Sequence, residues 1–260
     1  MFASERMNYI CDMLKKNGAV TTAQISNELD VSVETVRRDL LTLERGHRLM
    51  RVHGGAVSCG TMIPNKPLSD RLETNLDKKH SLSKAACKFV NENDTVTIDA
   101  GSTGLEFAKT LAETFTHLTV ITHSLDVFNF LKQGSTFELI LIGGRFSTEE
   151  NCFIGYLAEN SYKRLHLGKS FVMPAALSIK SGLCHSNEQF VPLQNVMIDN
   201  ADSVFVLADS DKFEKNALFS SHPLDMNYTY ITDSNISDEL VNLYGESGLK
   251  IFTEKKAFDE

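Results

Sequence analysis

TTAQISNELDVSVETVRRDLLTLERGHRLMRVHGGAV, residues 21–57, reads as two short helices around a tight turn followed by a basic, glycine-bearing hairpin. Thr21 is placed to cap a helix, Gln24 three residues on completes a capping box, and Ala23, Ile25 and Leu29 supply apolar positions. A turn at Asp30-Val31 follows. Ser32 then caps a second helix in which Val33, Val36, Leu40 and Leu43 fall at steps of three and four and share one buried face. Glu34, Thr35, Arg37, Arg38 and Thr42 are left facing outward. Two arginines beside hydrogen-bonding side chains suit a helix lying in a DNA major groove. Residues 48–57 are short and basic, and Gly54-Gly55 permits a sharp change of direction, as in a wing laid along the DNA backbone or minor groove. The expected DNA contacts are Thr22, Ser32, Glu34, Thr35, Arg37 and Arg38 from the helical pair, with Arg51 and His53 from the wing. The competing reading is an ordinary helical hairpin with a solvated charged face.

On the amino-terminal side, residues 5–17 read as a further helix, with Met7, Ile10, Cys11 and Leu14 on one side and Gly18 to end it. On the other side, residues 58–70 carry Gly60, Pro64 and Pro67 with few large apolar residues, which marks a boundary. The expected organisation is a winged helix-turn-helix domain over 1–57, a linker over 58–76 and an α/β domain over 77–260. The net charge of −8 divides unevenly: residues 1–57 hold 8 basic and 7 acidic side chains, a net of +1, and the remainder holds 18 and 27, a net of −9. Phosphate contact is local, so a near-neutral module with clustered arginines suffices while the acidic remainder discourages indiscriminate binding. Five scattered cysteines without CxxC spacing suggest free thiols rather than a disulfide framework or zinc site. With no apolar run of spanning length and no signal-peptide pattern, a cytoplasmic location with no membrane partner is expected.

Beyond residue 77 the pattern alternates helix and strand. Helices are expected near 79–91, 105–113, 125–132, 194–200 and 237–244, and strands at 95–99, 118–122, 137–142, 170–173, 203–208 and 228–232. Such alternation implies a mostly parallel sheet covered on both faces, with ligands at the carboxyl ends of its strands. Four loops lie there. Asp99, Gly101, Ser102, Thr103 and Gly104 leave a strand and open a helix, so that backbone N–H groups, hydroxyls and the helix dipole converge as an anion would require. Thr122, His123 and Ser124 repeat the arrangement, Gly143, Gly144 and Arg145 bring bare backbone and a guanidinium, and Asp209 and Lys212 follow the strand VFVLA. Each has a plainer reading as a tight turn or a structural loop residue, and the full GxxxxGK[ST] pattern is absent. Cys184-His185 lacks a second pair at ligand spacing, so no metal and no cofactor are expected.

SVETVRRDLLTLE (32–44), RVHGGAV (51–57), TIDAGSTG (97–104), TVITHSL (119–125), LILIGGRF (139–146) and VFVLADSDKFEK (204–215) resemble the DeoR-type transcriptional regulators of bacteria. The resemblance runs from about residue 10 to 232. It implies a winged-helix DNA-binding domain joined to a sensor domain like ribose-5-phosphate isomerase, a homodimer or homotetramer, and repression of carbohydrate genes modulated by a sugar phosphate. Residue by residue, it assigns Asp99, Gly101, Ser102 and Thr103 to the phosphate loop, Thr122 and Ser124 to a second loop, and Asp209 and Lys212 to a last one. Four departures stand out. Gly104 replaces a second threonine, His123 an asparagine, Met173-Pro174-Ala175-Ala176 a glycine-containing turn, and Phe190 and Gln194 a glutamate and a lysine. The last pair removes an acid and a cation that isomerase chemistry needs. The expected partners are therefore double-stranded operator DNA and a small-molecule effector, not a substrate; the rival is a phosphosugar-metabolising enzyme with an accessory helical domain.

Overall fold

The computed structural model describes residues 2–17, 19–46, 48–52, 54–58 and 62–255. The chain forms two compact units, Met1–Ile63 and Pro64–Glu260. Gly18, His53 and Gly60 of the sequence reading lie outside the described residues.

The first unit runs α1 (Ala3–Asn17), β1 (Ala19–Thr21), α2 (Thr22–Leu29), α3 (Val33–Arg45), β2 (Leu49–Val52) and β3 (Gly55–Ser58). Its caps follow the sequence. Thr21 Oγ1 accepts from Gln24 N at 3.1 Å and Thr21 N donates to Gln24 Oε1 at 2.9 Å, which satisfies two of the amides that a helix start leaves without partners. Asp30 takes the left-handed conformation (φ 50°) that stops α2, and Ser32 Oγ caps α3 by accepting from Thr35 N at 3.2 Å. Ile10, Leu14, Ile25, Val36, Leu40, Leu43, Leu49 and Ala56 form one apolar core under the three helices and the sheet. Val33, expected on that face, is instead 39% exposed, because it is the first residue of α3 and precedes the turn that packs. Asp39 takes a buried place between Leu40 and Val36 and is held there by Arg6 of α1, with Nε–Oδ2 at 2.5 Å and Nη2–Oδ1 at 3.0 Å. The wing is a three-stranded antiparallel sheet in the order β1-β3-β2. Gly54 supplies the positive φ of its turn (88°), whereas Gly55 answers a close approach: a Cβ there would lie 2.1 Å from the carbonyl oxygen of Val20.

The second unit begins inside the expected linker. α4 (Leu68–Glu73) buries Leu68 and is followed by α5 (Leu76–Cys87), so residues from Pro64 onward are structured as part of this unit. The chain then alternates β4 (Thr95–Ile98), α6 (Ser102–Thr114), β5 (Thr119–Thr122), α7 (Leu125–Gly134) and β6 (Glu138–Leu141). A hairpin of β7 (Arg145–Ser147) and β8 (Cys152–Ile154) leads to α8 (Tyr156–Lys163) and β9 (Leu167–Val172). Next come β10 (Ala176–Ser178), β11 (Gly182–His185), α9 (Val191–Asp199), β12 (Ala201–Leu207), β13 (Phe219–Ser220), β14 (Thr229–Ile231), α10 (Asp238–Glu246) and β15 (Lys250–Phe252). Among the described residues the main sheet has seven parallel strands in the order β15-β14-β12-β9-β4-β5-β6, and β10-β11-β13 form a small antiparallel sheet. Side chains alternate across the parallel strands. Val120, Phe171, Phe205, Leu207 and Ile231 pack with Leu82, Phe107 and Leu131 on one face; Ile121, Val172, Val204, Val206 and Tyr230 pack with Tyr162, Leu193, Met197 and Tyr244 on the other. Burial on both faces is why these strands read as continuous apolar runs. No described helix is long and apolar enough to cross a membrane.

Candidate functional site

In the first unit, α3 carries the proposed groove-facing side chains. Arg37 and Arg38 are exposed, and the Arg38 guanidinium has no hydrogen-bond or ion-pair partner among the described residues. Arg37 lies 3.7 Å from Glu34, a pair too exposed to hold either side chain firmly. Other expected contacts have structural partners. The Ser32 and Thr35 hydroxyls share a hydrogen bond of 2.9 Å, Thr22 Oγ1 donates to the Gly54 carbonyl at 3.1 Å and so ties α2 to the wing, and Arg51 Nε sits 3.9 Å from Glu44.

In the second unit, the carboxyl ends of β4, β5, β9 and β12 bring several of the predicted residues together. Gly101 (φ 117°) leads into α6, whose first turn has no side-chain cap, so the amides of Ser102, Thr103 and Gly104 point outward from the helix start. The Ser102 and Thr103 side chains are buried, and no described residue bonds their hydroxyls. Gly104 is required by packing: a Cβ there would lie 2.3 Å from the Asp99 carbonyl oxygen. That contact accounts for the glycine where the resembling family has threonine.

Asp99 is the hub. Its Oδ1 accepts from Ala100 N at 2.8 Å and its Oδ2 from Met173 N at 3.0 Å and Gln194 Nε2 at 2.9 Å. Gln194 Oε1 in turn accepts from His185 Nε2 at 2.7 Å. His123 is fully buried, with Nδ1 3.1 Å from the Tyr162 hydroxyl and Nε2 3.5 Å from Asp99 Oδ1. Burial pushes the pKa of both histidines below the ordinary value, which keeps the imidazoles neutral. Thr122 and Ser124 have backbone roles: Thr122 Oγ1 donates to the Ile98 carbonyl at 2.8 Å and Ser124 caps α7.

Lys212 is mostly buried, with Nζ 3.3 Å from the Pro174 carbonyl and 3.9 Å from Asp209. Its pKa is lowered by burial, with the charge of Asp209 opposing. Sequence reasoning missed two further cations. The Arg71 guanidinium lies over the α6 loop, its Nη1 3.7 Å from where a Cβ on Gly101 would stand, and its Nη2 grips both carboxylate oxygens of Glu150. Lys79 donates to the Arg71 carbonyl and, at 2.6 Å, to that of Thr74; burial first and Lys212 second lower its pKa to about 8. Neither residue lies in a strand-end loop, so only their position among apolar helix residues, Leu68 and Leu82 for instance, could have flagged them. The Gly143-Gly144-Arg145 loop is held by local contacts. A Cβ on Gly144 would come 2.8 Å from the Ile154 carbonyl oxygen, and exposed Arg145 bonds Gln189 at 2.7 Å.

Comparison with known proteins gives a consistent result. Residues 6–62 match the DeoR-like helix-turn-helix domain and residues 74–234 the DeoR C terminal sensor domain. The Lactose phosphotransferase system repressor of Lactococcus lactis is 34% identical over 241 residues, spanning 92% of this chain and 94% of that protein. The HTH-type transcriptional regulator GolR of Listeria innocua is 31% identical, spanning 96% and 98%, and the L-fucose operon activator of Haemophilus influenzae is 31% identical, spanning 90% and 95%. Among solved structures, ribose 5-phosphate isomerase A of Methanocaldococcus jannaschii aligns over 54% of this chain and 55% of its own, at 18% identity and a TM-score of 0.40.

Proposed function

The chain belongs to the DeoR family of transcriptional regulators, and on that premise we propose that it represses carbohydrate-metabolism genes and releases its operator when a phosphorylated sugar binds the second unit. Membership makes it a DNA-binding regulator and not an enzyme, which sets aside the phosphosugar-metabolising rival. Relatives named for lactose, fucose and aga operons support the carbohydrate assignment. The carrying observation for the effector is the uncapped first turn of α6, where the Ser102 and Thr103 hydroxyls have no hydrogen-bond partner among the described residues and the Arg71 guanidinium stands beside Gly101. Amides, hydroxyls and a guanidinium aimed at one point recognise a phosphate dianion. The polar groups around Asp99, Gln194 and His185 suit sugar hydroxyls. We assign Arg37, Arg38 and Thr35 to the groove and Arg51 to the DNA backbone in a symmetric oligomer that pairs two such units on its operator.

Two measurements test this reading. Arg38→Ala should weaken binding to the promoter DNA of the protein's own and adjacent genes and reduce the salt slope by about one unit. Unchanged affinity and slope for both Arg38→Ala and Arg51→Ala would contradict the groove assignment. Thermal-shift screening of sugar phosphates should reveal at least one that stabilises the wild type but not a Ser102→Ala, Lys212→Ala double variant; equal shifts in both would sink the effector site.

A further inference from the structure

Glu150 occupies an odd position. It sits in the turn between β7 and β8, far in sequence from Arg71, yet both its carboxylate oxygens hold the guanidinium that overhangs the α6 anion loop. The pair is mostly screened from water, with side chains 31% and 16% exposed. A carboxylate gripping the guanidinium that a phosphate would need is an internal competitor for that phosphate. Arg71 is also fixed from behind. Its Nε donates to the Lys66 carbonyl at 3.1 Å and its own carbonyl receives Lys79, so the guanidinium cannot change partner without disturbing the 66–74 segment. That segment is the first ordered element after the boundary at Ile63/Pro64.

We propose that Arg71 and Glu150 form an anion-responsive latch, in which an effector's phosphate seated on the first turn of α6 takes the Arg71 guanidinium from Glu150 and thereby releases α4 from the β7–β8 turn. The proposal rests on the effector reading above and assigns it a trigger. It gives α4, joined through residues 64–67 to the DNA-binding unit, two arrangements that ligand biases, which is what coupling between two sites requires. Binding then carries the cost of breaking the Arg71–Glu150 pair, so removing the competitor's charge improves affinity.

The test uses the full-length protein with inorganic phosphate as probe, by calorimetry at constant ionic strength. Glu150→Gln should bind phosphate about tenfold more tightly than wild type, Arg71→Lys more weakly, and Arg71→Gln weakest. Hydrogen exchange in residues 148–151 should rise when phosphate is added to wild type and be already raised in Glu150→Gln. If phosphate binds and Ser102→Ala abolishes binding while Glu150→Gln matches wild type within about twofold, the effector site stands and the latch is refuted. If neither wild type nor Glu150→Gln binds phosphate, the effector reading falls and the latch with it. Because Arg71→Lys keeps the charge, it remains interpretable even where Arg71→Gln perturbs folding.

Discussion

Asp39→Asn should unfold the first unit at temperatures where the second is intact. Asp39 lies in the middle of the helix assigned to the DNA groove, but it points into the core and meets Arg6 of α1 through two hydrogen bonds, with side chains only 9% and 13% exposed. Removing one member of a buried ion pair costs up to about 3–5 kcal/mol. Residual exposure of Arg6, and one hydrogen bond that asparagine can still accept, lower the expectation here to about 2 kcal/mol. A unit of about 60 residues has a total stability of roughly 3–9 kcal/mol, so this loss moves the folded-to-unfolded ratio about 30-fold. Urea unfolding followed by hydrogen exchange at Ile10 and Leu40 would read the first unit separately. A shift below about 0.5 kcal/mol would refute the claim that this pair ties α1 to α3. DNA binding provides the second check. At a temperature where the variant's first unit is folded, its operator affinity and salt slope should equal those of wild type, since Asp39 does not face DNA.

The two wing glycines separate two mechanisms. Gly54→Ala, with nothing within 4 Å of the new Cβ, should cost only the left-handed penalty of about 1 kcal/mol, whereas Gly55→Ala, 2.1 Å from the Val20 carbonyl, must move β1 or β3 and should cost about 3 kcal/mol and impair DNA binding; equal effects in denaturant unfolding would discredit the distinction. The second unit should lose stability in mild acid through His123. Burial depresses its pKa below 6.5, so the unfolded chain binds the proton more readily than the folded one; the group imposes no penalty above about pH 6.5 and a growing one as pH falls through that value. His185 acts in the same sense. His123→Asn should flatten the fall of the second unit's unfolding midpoint between about pH 6.5 and 5, and an unaltered slope would mean that the imidazole titrates normally.

What the sequence disclosed follows the range over which each signal acts. Caps act over three residues, and Thr21, Gln24 and Ser32 announced α2 and α3 with the bonds they make. The parallel strands were legible because burial on both faces leaves unbroken apolar runs such as VFVL. The strands β7, β8, β10, β11 and β13, outside the main sheet, were not: with two to four residues each they present neither an alternation nor an unbroken apolar run. The α6 loop was readable as a local strand-to-helix motif. Arg71, Lys79 and Glu150 were not, because their roles exist only through contacts between residues 71 and 150 and among helices that share no pattern. Thr122, Ser124 and Arg145, of suitable chemistry in suitable loops, each also hold a structural hydrogen bond, to the Ile98 carbonyl, the Val127 amide and Gln189, that no local sequence signal announces.

With Gln194 at the position where the resemblance expects a lysine, the positive charge of the proposed site comes from elsewhere in the second unit. Gln194 is neutral, buried and bonded on one side to the Asp99 carboxylate and on the other to His185, so it adds hydrogen bonds but no cation. Cations enter instead from Arg71 on α4, Lys79 on α5 and Lys212 after β12. Two of these three belong to the stretch that immediately follows the boundary between the units. On the proposed reading, an anion held there would act on the residues nearest the connection to the DNA-binding unit, while the sugar end would meet the hydrogen-bond network around Asp99. The cations would then govern the switching and the Asp99 network would govern which sugar is accepted, so substitutions at Gln194 or His185 should change effector preference, and substitutions at Arg71 or Glu150 should change the response to any effector that carries a phosphate.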